Sequence, residues 1–122
     1  YPLEGHFVYK TDNGKITVVS VLYNYGDENQ ALKQIWDKMP QAANTETELP
    51  QAISLYDFYP EDKDYYNFEG SLTTPPCTEG VNWIVFKNQE TVSKEQVEKF
   101  TQTLGFENNR PIQDTNGRKI KE

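Results

Sequence analysis

The sequence predicts a mixed, β-dominated α+β fold, and three observations carry that reading. Residues 2–25 alternate apolar and polar side chains on both sides of an Asn-Gly turn signal. The run "VNWIVFK" at 81–87 is β-branched and aromatic, and it follows a stiff Thr-Thr-Pro-Pro loop. Two windows, 26–40 and 93–105, space their apolar residues as a helix does.

From Pro2 to Lys10 the alternation sets Glu4, His6 and Val8 on one face of a strand and Leu3, Gly5, Phe7 and Tyr9 on the other. Asn13-Gly14 marks the turn. "ITVVSVLYNY" then returns with Ile16, Val18 and Ser20 sharing a face, so 2–25 reads as an antiparallel hairpin. Ala31, Leu32, Ile35, Trp36 and Met39 form a helical stripe suited to core packing, ended by Pro40. The polar stretch 41–50 reads as a surface loop whose acidic residues are solvated. Residues 52–72 are aromatic-rich and irregular, with a short strand near Tyr65–Phe68.

In "TTPPC" two consecutive prolines fix φ and remove two donors, and Thr74 is driven away from helical backbone by the proline after it. Beyond the strand at 81–87, Ser93 and Gln96 are spaced as a capping box for a helix that Gly105 terminates. "FENNRPIQDTNGRKIKE" closes the chain without periodicity, and no repeat or domain boundary interrupts it. The chain opens inside a strand, and its strands are not expected to complete a sheet among themselves. Both features point to a single domain, residues 1–122 being one part of it.

Composition narrows the function. A chain of 122 residues suits one domain, and 35% hydrophobic residues make its core thin. Eight tyrosines, six phenylalanines and two tryptophans offset this, since each aromatic buries a large area. The net charge of -7 argues against nucleic acid and anionic membrane as partners, because both require a basic face. No apolar run approaches the length of a membrane span, and no basic-apolar signal segment opens the chain.

Chemistry has few places to sit. His6 is the only histidine, and a lone histidine on a strand is more often a hydrogen-bonded structural residue than a ligand. Glu4, two residues earlier, shares its face. A carboxylate there can accept from one ring nitrogen and free the other for a metal, although a surface ion pair fits the same spacing. Thr73 and Thr74, ahead of Pro75-Pro76, offer hydroxyls on a backbone with little freedom; the plainer reading is a stiff loop. Cys77, the only cysteine, is a small buried side chain, a nucleophile or half of a disulfide with another polypeptide.

"EGHFVYK", "GSLTTPPCTEGVNWIVFK" and "NNRPIQ" together resemble the α-class carbonic anhydrases, in particular the secreted bacterial type. The resemblance runs over essentially the whole chain, and "SLTTPPCTEGVNW" is highly specific to that family. It implies the C-terminal half of a large, mostly antiparallel central sheet with peripheral helices. It also implies a lyase that hydrates carbon dioxide reversibly with Zn2+ held by three histidines. His6 matches the third ligand and Glu4 its carboxylate partner; the other two ligands, a His-x-His pair, belong to a preceding strand that this sequence lacks.

The remaining roles follow from the same resemblance. Thr73 matches the threonine that orients the attacking oxygen, and Thr74 the neighbour that contacts bicarbonate. Val8, Val18, Leu72, Val81 and Trp83 match the apolar wall against which carbon dioxide rests. Cys77 matches a cysteine that bridges to one near the start of the catalytic domain, which favours the periplasm or cell exterior. Implied partners are the N-terminal half of the same enzyme, carbon dioxide or bicarbonate, sulfonamide or anion inhibitors, and a second copy in a homodimer. Two positions depart from the pattern: Phe68 stands where a tyrosine is common, and Gly5 where a bulkier apolar residue is common. The competing reading is a non-catalytic carbonic-anhydrase-related binding module; an unrelated β-rich interaction protein ranks below both. The 122 residues alone are expected to be inactive and poorly folded, their sheet edges unpaired.

Overall fold

Gly14 adopts φ of 84°, the left-handed region that glycine enters without steric cost, and the chain reverses there. In the computed structural model, which describes residues 1–122, β1 (Leu3–Lys10) and β2 (Ile16–Tyr25) pair antiparallel, from Leu3 opposite Tyr23 to Lys10 opposite Ile16. β4 (Glu79–Phe86) lies parallel to β2 on its other side, and β3 (Tyr65–Ser71) is antiparallel to β4. A three-residue strand, β5 (Glu90–Val92), runs parallel to the end of β2. The sheet order is β1-β2-β4-β3.

The β-dominated class therefore holds, but one expectation fails. These strands do close one continuous, mixed sheet among themselves. The long connections that made this unlikely from sequence return over a sheet face and bring non-consecutive β2 and β4 together. β1 is left at an edge, paired only with β2.

The helices cover one face. α1 (Gln30–Trp36) starts where the Asn29 side chain accepts from the Leu32 N–H at 3.0 Å, and it stops short of Met39 and Pro40. α2 (Lys94–Leu104) carries the reciprocal capping box of Ser93 and Gln96 and ends at Gly105, whose φ is 79°. Gln96 also joins the two helix starts: its side chain accepts from Asn29 N–H and donates to Asn29 O, both at 2.9 Å. Trp36 stacks on Phe100 with ring centroids 5.5 Å apart. Under these helices, Val21, Tyr23, Phe86 and Val92 of the sheet bury against Ala31, Leu32 and Phe58. Phe58 comes from a 3-10 turn at Leu55–Phe58. No helix is long and apolar enough to cross a membrane.

A Cβ at Gly5 would lie 3.4 Å from the Tyr23 ring, which occupies the room a larger side chain would take. The Tyr23 hydroxyl is buried without a partner, and burial pushes its pKa up to about 12.

Candidate active site

The opposite sheet face gathers the chemistry. Hairpin register places His6 opposite Ser20, Val8 opposite Val18 and Glu4 opposite Leu22. Parallel pairing then sets Val18 beside Trp83 and Ser20 beside Val85. Val18, Val81 and Trp83 form a small buried cluster, with Ile16, Phe68, Leu72 and Val85 packed around it. The His6 ring meets Trp83 edge-on, centroids 5.0 Å apart, and Trp83 stacks flat on Phe68 at 6.2 Å. Phe68 thus contributes a ring to the wall where a tyrosine would bring a hydroxyl.

Glu4 Oε1 accepts from His6 Nε2–H at 3.0 Å and also from the Ser20 hydroxyl. Burial by itself would raise the Glu4 carboxyl, but the hydrogen bonds from His6 and Ser20, with the charge of His6, outweigh it and hold the pKa below its usual value. In the neutral imidazole, an Nε2–H committed to Glu4 leaves the lone pair on Nδ1. That nitrogen is the one free to bind a metal. Alternation along β2 alone sets Ser20 on this face, but no local rule in the sequence points to its contact with Glu4.

Thr73 and Thr74 lie in the exposed connection from β3 to β4. Leu72 N–H donates to Thr78 O at 2.9 Å, and Cys77 N–H donates to Thr74 O at 2.8 Å, closing a turn around the cis Pro75–Pro76 bond. Arg110 holds the loop's root, donating to Ser71 Oγ at 2.7 Å and Leu72 O at 3.1 Å. Arg118 donates to Glu69 O at 2.9 Å, and Lys121 exchanges backbone hydrogen bonds with Asn67. The aperiodic end of the chain is therefore a strap along β3. Its arginines anchor it, and the Arg-Pro of "NNRPIQ" is the one sequence signal that marks Arg110. We expect Arg110→Gln to cost about 1–3 kcal/mol, the worth of hydrogen bonds from a charged donor. It should also speed alkylation of Cys77 in a timed thiol-modification assay; an unchanged rate would mean that the loop is anchored elsewhere.

Not every predicted residue converges. Glu4, His6, Val18, Leu72, Val81 and Trp83 share one neighbourhood, and Val8 joins it opposite Val18, 60% exposed on the edge strand. Cys77 is a half-buried free thiol with φ of 56°. No three His, Cys, Asp or Glu side chains come together as a metal cage. Two cavities of about 220 and 190 Å³ lie beside α1, and none of the predicted site residues lines them.

A carboxylate-braced histidine beside an apolar wall has the donor type of a metal ligand, although one such side chain makes no cage. Residues 6–122 match the family model described as eukaryotic-type carbonic anhydrase. The chain is 44% identical to the carbonic anhydrase of Neisseria gonorrhoeae over 122 residues, all of this chain and 48% of that protein. It is 42% identical to the carbonic anhydrase of Klebsiella pneumoniae, again over its whole length and 50% of that protein. Among solved structures, the α-carbonic anhydrase of Thermovibrio ammonificans, in complex with the inhibitor sulfanilamide, superposes with a TM-score of 0.93. The identity is 48%, covering 96% of this chain and 52% of that one. This chain belongs to the α-type carbonic anhydrase family. It spans about half the length of the curated relatives it matches.

Proposed function

We propose that these residues supply one part of the active site of a carbonic anhydrase, which interconverts carbon dioxide with bicarbonate and a proton once the rest of the domain completes it. The observation that carries this reading is the Glu4–His6 hydrogen bond on the face that also holds Trp83. His6 fits zinc in donor type, and its Nδ1 is the atom that would bind. One imidazole is too few, since catalytic zinc sites take three protein ligands; the other two would come from outside this chain. A zinc ion held there would supply a hydroxide nucleophile at neutral pH, the role for which carbonic anhydrases are the familiar example.

The chain's own groups have distinct tasks. Glu4 fixes the His6 ring and its tautomer. Thr73 would accept a proton-bearing contact from the attacking oxygen and so aim it, while Thr74 would contact bicarbonate. Val18, Val81, Leu72 and Trp83, with Val8 beside them, would hold carbon dioxide without competing for the nucleophile, because apolar groups offer no hydrogen bond. Cys77 would pair with a cysteine of the rest of the domain, which would place the protein in the periplasm or outside the cell. The retained Glu4–His6–Ser20 network speaks against a non-catalytic module, which would have no use for a braced imidazole.

The complete domain should bind about one zinc and show sulfonamide-sensitive hydration, whereas residues 1–122 alone should hold zinc weakly and be inactive, because one ligand is not three. Metal analysis after dialysis and stopped-flow hydration would show this. A complete domain that retains no zinc sinks the proposal.

A further inference from the structure

We propose that Ser20 is a positioning residue for His6, acting through Glu4; this rests on the reading of His6 as a metal ligand. Ser20 is fully buried in the middle of β2, and its hydroxyl donates to Glu4 Oε1. The same oxygen accepts from His6 Nε2–H at 3.0 Å. Register places Ser20 directly opposite His6, so the carboxylate is held from the neighbouring strand as well as from its own.

The arrangement matters because Glu4 is the loose member. Its side chain is 43% exposed and has several rotatable bonds, so one hydrogen bond from an imidazole would not keep it still. Ser20 has a single heavy-atom torsion, and its backbone is fixed in the ladder between β1 and β4. The hydroxyl therefore fixes the carboxylate, and the carboxylate fixes the ring with Nδ1 as its free nitrogen. A buried serine that merely satisfied its own strand would donate to a nearby carbonyl. Ser20 instead donates across to β1.

The test is zinc affinity of the complete domain, measured by competition with a chelator. Ser20→Ala is expected to weaken zinc binding about three- to tenfold, less than the roughly 10–100-fold typical of removing a group that touches a ligand directly. In a Glu4→Ala background the same change should have no effect, because Ser20 acts only through that carboxylate. The proposal is overturned if Ser20→Ala leaves affinity unchanged, or if it weakens binding equally with and without Glu4. His6→Ala is the control. If it abolishes tight binding while Ser20→Ala does nothing, only the role of Ser20 falls; if it too does nothing, His6 is no ligand and both readings fall. Should Ser20→Ala fail to fold, Ser20→Cys keeps the volume with a much weaker donor and serves the same comparison.

Discussion

His6→Ala is expected to remove tight zinc binding from the complete domain and, with it, hydration of carbon dioxide. Groups that only brace a ligand are worth about 10–100-fold in metal affinity, so losing the ligand should exceed 100-fold. The fold should survive the change. The His6 side chain is 27% exposed, and its ring packs edge-on with Trp83. Such an aromatic pair is worth about 0.5–1.5 kcal/mol beyond its area. Chelator competition and a thermal melt on the same preparation separate the two effects. A variant that melts normally and still retains zinc would show that His6 is the structural residue a lone histidine usually is.

The parts of this site that were legible in the sequence are those set by local rules. Alternation fixes which face Glu4, His6 and Val8 share, and the Ser93–Gln96 spacing fixes the start of α2, because neither depends on distant residues. Ser20 was within reach as well. His6 and Ser20 lie equally far from Asn13, so a symmetric hairpin puts them opposite one another, as the register does. The rest depends on tertiary placement. β5 has three residues, too few for any periodicity, and it exists because Tyr23–Tyr25 offers it an edge. Arg110 acts on Ser71 and Leu72 from far along the chain, and no spacing rule links them.

The free thiol of Cys77 and the bare edge of β1 follow the same logic. Under the proposed reading, both would be met by the rest of the domain; the chain itself covers about half of its relatives. The strands pair into one continuous ladder with β1 left at an edge, and the expected poor folding of residues 1–122 alone rests on such unpaired edges.

Trp83→Ala should have the largest effect on stability, about 3–5 kcal/mol, the usual range for emptying a buried aromatic position. Trp83 is 6% exposed and sits in the buried cluster of this face with Val18 and Val81. It stacks on Phe68, meets His6 edge-on, and donates from Nε1–H to Ser71 O at 3.1 Å. Its fit is tight enough that a Cβ on Gly70 would come within 2.9 Å of its Cδ1. Truncation would therefore leave a cavity between the histidine strand and the root of the threonine loop, and strip Ser71 O of its donor just where Arg110 grips the same residue. Denaturant unfolding of the complete domain measures the loss. Trp83→Phe, which keeps an aromatic face but lacks the N–H, should fall between wild type and alanine. If it equals wild type, the hydrogen bond to Ser71 contributes nothing and stacking alone holds the wall. If alanine costs less than about 1 kcal/mol, the site can collapse around the gap, because the cost of a cavity depends on how far its surroundings relax. The apolar wall would then not be the rigid surface that the proposed binding of carbon dioxide beside His6 calls for.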